Sequence, residues 1–118
     1  GEPRREFLHV DDLAKAALHI MSLSKKQMKT TTSEMCSHIN VGTGIDCTIS
    51  ELAFLIKKIV GYDGNIIFDE TKPDGTPRKL LDVSKITKTG WSYKVELEDG
   101  IKQTYHWYLE NLNSLRLG

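Results

Sequence analysis

Between its helical segments the chain offers three strand-like runs, residues 7–10, 38–42 and 65–69, and none exceeds five residues. A strand rises about 3.3 Å per residue, so each run can make only a few ladder pairings. Three such stubs cannot build a large doubly wound sheet. Helices must carry most of the architecture. The expectation is a mixed α/β fold, one domain over residues 1–118, with short strands and about four helices. Its sheet and helices would rest against another domain.

The helices are marked by spacing and by caps. Leu13, Ala16, Ala17, Ile20 and Met21 recur at helical spacing, and Asp11 or Asp12 stands where a cap is needed. His19 lies beside that face and reads as a packed edge residue, not a ligand. Residues 24–37 hold three lysines and a Thr-Thr-Thr run and read as an exposed loop. Thr48 with Glu51 three positions on makes a capping box. Behind it Ile49, Leu52, Ala53, Ile56, Ile59 and Val60 form a stripe predicted to be buried, with Lys57 and Lys58 outward and Gly61 at the C-terminal stop. Asp82 should cap a short helix that ends at Gly90. The last helix spans residues 97–112, where Leu97, Ile101, Thr104, Tyr105, Tyr108 and Leu109 read as a core stripe.

Charge and cysteine usage narrow the function classes. Sixteen basic residues balance sixteen acidic ones. That balance leaves no footprint for nucleic acid or an acidic membrane surface. No apolar run is long enough to span a bilayer. Cys36 and Cys47 could pair on count, but with no secretory signal ahead of them they are expected as reduced thiols in a cytoplasmic protein, and without CxxC partners not as zinc ligands. His9, His19, His38 and His106 show no metal spacing. The acidic pairs Asp11-Asp12 and Glu98-Asp99 fall at helix starts, where the helix dipole explains them. No catalytic centre is legible. The chain opens on Gly1, which suggests a piece of something longer.

Two basic sites remain. Residues 71–82 carry two prolines and a Pro-Asp-Gly turn, and gather Lys72, Arg78 and Lys79. Prolines restrict the unfolded loop, so these cations could be held in place at low entropic cost. Held cations suit a phosphate, and a solvated surface turn explains the same residues. The second site is Arg4-Arg5. Brought together, the two would clamp a diphosphate from both sides. The turn at Gly42-Thr43-Gly44 lacks the full dinucleotide pattern and reads as a tight turn.

Several motifs carry a resemblance. Arg5-Glu6-Phe7-Leu8-His9-Val10-Asp11-Asp12 resembles the R-E-[FY]-x-x-V-x-D motif of extended short-chain dehydrogenase/reductases. Asn40-Val41-Gly42-Thr43-Gly44 is similar to the N-x-G-x-G turn that follows it. The run from Lys72 to Asp82, Gly90-Trp91, Leu97-Glu98-Asp99-Gly100-Ile101, and Thr104-Tyr105 with Trp107 to Asn111 resemble the C-terminal part of the GDP-L-fucose synthase family. That resemblance implies an NADPH-dependent 3,5-epimerase/4-reductase acting on GDP-4-keto-6-deoxy-D-mannose. It implies a homodimeric parent, and a separate N-terminal Rossmann domain that binds NADPH and holds the catalytic residues. It leaves this chain with no catalytic residue, no cofactor of its own and an expected lack of turnover.

What carries over is substrate binding. Arg5 matches an Arg that grips the nucleotide diphosphate, and Lys79 a basic residue of the substrate site. Lys72 and Asp74 match loop positions that line the GDP-sugar, and Arg78 is a looser match. Another extended-family sugar-nucleotide epimerase or reductase, and a free-standing binding module, stand as alternatives.

Overall fold

The strands form around charge rather than around the apolar runs. A computed structural model describes residues 1–114. Its sheet consists of β1 (Arg4–Glu6), β2 (Asp46–Thr48) and β3 (Arg78–Lys79), in the order β2-β1-β3. β1 pairs antiparallel with β2, Arg5 opposite Cys47, and parallel with β3, Arg5 opposite Lys79. Residues 7–9, 38–42 and 65–69 are not strands. Alternation marks a chain ready to pair, but a ladder needs a neighbour, and these runs find none among the described residues. Ile39 and Val41 instead pack as loop residues against the core.

Among the described residues the chain forms five α-helices, one more than expected: α1 (Val10–Ser22), α2 (Lys25–Thr31), α3 (Ile49–Val60), α4 (Ser84–Lys88) and α5 (Leu97–Asn111). The extra helix is α2, inside the segment expected to be loop. Ser24 caps it and Gln27 returns the bond, a complete capping box. α3 keeps its predicted ends. The Thr48 hydroxyl accepts from Glu51 N at 3.0 Å, Glu51 accepts from Thr48 N at 2.7 Å, and Gly61 turns left-handed at φ +69°. Two more amides at its start, those of Ile49 and Ser50, donate to Pro3 O and Gly1 O, each at 3.0 Å. Groups that a helix N-terminus leaves unpaired are thereby tied to the strand beside it.

The start of α1 corrects the cap assignment. His9 is the cap, its Nδ1 accepting from Asp11 N at 3.3 Å. Asp12 turns inward instead and is only 1% exposed. Its Oδ2 accepts the amides of Lys94 and Val95, both at 2.8 Å, and so bolts α1 to the segment before α5. Burial pushes the Asp12 carboxyl up, but these two donors outweigh it and the net shift is downward. His19 is a packed edge residue as expected: Nε2 lies 2.9 Å from Thr89 Oγ1, linking α1 to the end of α4.

The apolar core is small. Ala16, Ile86 and Trp91 are buried, with Leu8, Ile20, Val83 and Tyr93 packed partly against them. The predicted burial of α3 and α5 does not occur: none of the α3 stripe is buried, and Tyr108 and Leu109 are exposed. On α1, Leu13 and Met21 are exposed too. The radius of gyration is 17.8 Å, against about 13–14 Å for a compact domain of this length.

Candidate functional site

The three-stranded sheet sorts its side chains by parity. Successive residues of a strand point to opposite faces, and residues paired across strands share one. Arg4, Glu6, Asp46 and Arg78 therefore lie on one face. Arg5, Cys47 and Lys79 lie in a row on the other.

The first face is neutralised internally. Asp46 Oδ1 accepts from Arg4 Nε at 2.9 Å and Oδ2 from Arg78 Nε at 2.5 Å, with the carboxylate side chain only 4% exposed. Arg78, joined by Arg4, holds the Asp46 carboxyl below its ordinary value against the opposing effect of burial. In return, Asp46 raises Arg4. Arg78, the looser candidate for substrate, is thus occupied as a structural cation on the face away from Arg5.

Glu6 completes that face. Its Oε1 accepts from Gly44 N at 2.6 Å and Thr43 Oγ1 at 3.3 Å, and Oε2 from Leu81 N at 3.1 Å. One carboxylate thereby ties the 42–44 turn to the exit of β3. Gly42 is required because a Cβ there would run into the Glu6 carboxyl, and Gly44 because its φ is +75°. The Gly-x-Gly turn is a tight turn, as read from sequence. Its Gly44 amide already serves an anion from its own chain.

The second face is left cationic. Arg5 Nη1 donates to Arg4 O at 2.6 Å, and neither Arg5 nor Lys79 meets a carboxylate among the described residues. The proline loop closes over this point, and a Cβ on Gly75 would stand 3.2 Å from Arg5 Nη2. So the structure brings together Arg5, Lys79 and the loop backbone at Gly75, next to Asp74. It does not bring Lys72 to them by any bond. Lys72 is exposed in the 69–72 turn, its amide donating to Asp69 O at 3.3 Å. A crevice of about 60 Å³ opens beside Arg5, lined also by Phe7, Thr43, Cys47, Tyr93 and Glu96. Burial, then Glu51, pushes the Cys47 thiol up, so it sits there as a neutral group.

Chemically, a planar guanidinium and an ammonium paired side by side on one sheet face can hold a phosphate or diphosphate. Glu6 and Asp46, which set this geometry, were not legible as site residues. The only signal was their place on the sheet, and the strands there carry no apolar pattern. Among the described residues no three His, Cys, Asp or Glu side chains gather as metal ligands, and no helix is long and apolar enough to cross a membrane.

A second concavity is larger and apolar. α3 and α5 flank a groove of about 650 Å³ lined by Phe7, Leu52, Ile56, Ile101, Tyr105 and Tyr108, among others.

Comparison with known proteins agrees with the motifs. No protein-family model matches the chain. GDP-L-fucose synthase of Escherichia coli (strain K12) is 55% identical over 116 residues, covering 98% of this chain and 36% of that protein. GDP-D-glycero-L-gluco-heptose synthase from Campylobacter jejuni, solved in the presence of NADPH, superposes with a TM-score of 0.81 at 43% identity, over 92% of this chain and 31% of that one. UDP-glucose 4-epimerase from Thermotoga maritima, solved with UDP-glucose, gives a TM-score of 0.77 at 30% identity, over 95% of this chain and 33% of that one. The chain thus spans about a third of the length of the relatives it matches.

Proposed function

We propose that this chain is the GDP-sugar-binding part of an NADPH-dependent sugar-nucleotide epimerase/reductase that makes GDP-L-fucose. The observation that carries the reading is the row of Arg5 and Lys79. Among the described residues they are the two sheet cations without a carboxylate, set under the proline loop. The similarity to GDP-L-fucose synthase at 55% identity supplies the substrate class. The weaker identity to the UDP-glucose enzyme favours a GDP-sugar over a UDP-sugar.

In this reading Arg5 takes the diphosphate with its fork, Lys79 adds a point charge, and Asp74 and Lys72 line the loop wall. The chain binds and orients. NADPH, as the hydride donor, belongs to the remainder of the longer protein, because the Gly-x-Gly turn present here is filled by Glu6. The same remainder is placed on the apolar groove between α3 and α5. That groove also argues against a free-standing module, since large exposed apolar patches mark interfaces. The chain alone is expected to give no turnover, and a soluble homodimer in the cytoplasm is the expected whole.

The test is Arg5→Ala in the intact protein. A lost charge-assisted bond to phosphate should raise the KM for GDP-sugar by about 10- to 100-fold and leave NADPH binding nearly unchanged. Equal loss of both, or better use of UDP-sugar than GDP-sugar by the wild type, would sink the assignment.

A further inference from the structure

α1 turns one side to the core, through Asp12, Ala16 and Ile20. A second stripe runs along its outer side. Val10, Leu13, Ala14, Ala17, Leu18 and Met21 follow the i, i+3, i+4, i+7 spacing of a helix face and carry no charge. All six are exposed, the large ones from 51% for Leu13 to 81% for Met21, so nothing among the described residues covers them. A surface helix needs one apolar stripe, facing its core, and a helix apolar on a second side is built to be buried there too. Val10, at the start of the stripe, also lines the groove between α3 and α5, so the two uncovered surfaces are continuous.

The stripe itself is narrow. A helix of 13 residues is about 20 Å long and about 10 Å wide, which offers about 200 Å² on one side. A specific dimer buries about 800 Å² of each partner, so a second copy seated on this stripe would hold weakly. A body joined to the chain meets no such threshold, because linkage replaces association by a high effective concentration. This chain covers only 36% and 31% of two relatives, so most of their length lies outside it.

We propose that α1 is an inter-domain helix whose outer stripe is buried by the remainder of the longer protein, an inference that rests on this chain being part of one. The covering layer is uncharged and apolar. Ala14 and Ala17 make a waist in the stripe, with Val10 and Leu13 at one end and Leu18 and Met21 at the other. A ridge of large side chains crosses at that waist, where small residues let it approach closely. Residues 1–118 are then not a separable domain, since α1 belongs to two layers at once.

The test uses the intact wild-type protein. It is treated with hydrogen peroxide, native and in urea, and sulfoxide at each methionine peptide is followed by mass spectrometry. Met35, 97% exposed and off the stripe, calibrates the dose. Met21 should oxidise about 10-fold more slowly in the native protein than in urea, because exposure governs access to the sulfur. Equal native and urea rates at Met21 overturn the proposal. So does protection that disappears on dilution to the monomer, which would put a second copy on the stripe. No nucleotide enters the experiment, so its outcome is separate from that of the GDP-sugar assignment.

Discussion

Removing the Glu6 carboxylate should loosen the candidate site from beneath. The side chain accepts from Gly44 N, Thr43 Oγ1 and Leu81 N. The three do not weigh alike. Leu81 N lies in an exposed stretch, so water replaces Glu6 there at little loss. Gly44 N is partly buried, and a buried donor left without a partner costs about 1–3 kcal/mol. With the charge on the acceptor lost as well, Glu6→Ala should cost about 2–3 kcal/mol. For a domain of this size that lowers Tm by roughly 10 °C. Glu6→Gln keeps an oxygen for Gly44 and should cost about 1 kcal/mol.

The assay is urea unfolding followed by Trp91 fluorescence, since Trp91 is 8% exposed and belongs to the core. Glu70→Ala, at an exposed position without a bond to another side chain among the described residues, serves as the control. A Glu6→Ala protein within about 0.5 kcal/mol of wild type would refute the reasoning, for surface changes alone reach that size.

Gly44→Ala should destabilise by about 1–2 kcal/mol, because an L side chain is strained in the left-handed region and its Cβ would press on Val83 Cγ2 at 3.1 Å. Chemical denaturation reads this directly, and an unchanged midpoint would contradict it. Acid should weaken the fold through Asp46, held down first by Arg78, and Glu98, held down first by Lys102. Their folded values lie below the ordinary 3.8 and 4.5, so the unfolded chain takes up protons first. The stabilisation is complete above those ordinary values and is lost as pH falls through the lower folded ones. The urea midpoint measured against pH should show that fall, and Asp46→Asn should flatten its lower part.

The helices were legible where their ends are chemical. Thr48, Glu51 and Gly61 announce α3 by groups that bond the backbone itself, so no tertiary partner is needed. Ser24 and Gln27 mark α2 by the same chemistry, although its lysines and threonines have no apolar stripe to signal a helix. Strands were illegible because their partners come from distant sequence. Arg4–Glu6 pairs with residues forty or more positions away, and its charged side chains carry no apolar signal. Burial along α3 and α5 is not legible because periodicity reports an apolar face and not what covers it. At the site, Arg5 and Lys79 were named from the sequence, and their side-by-side register came only from the sheet.

Arg4 and Arg5 are neighbours with opposite fates. One is spent on Asp46, the other is kept open under the proline loop. A missense change at position 4 should therefore lower how much protein accumulates, while one at position 5 should leave abundance nearly intact and, if the chain holds GDP-sugar as proposed, weaken each molecule's grip on it. Two adjacent codons would then give a quantity defect and a quality defect, and only the first would respond to lower temperature.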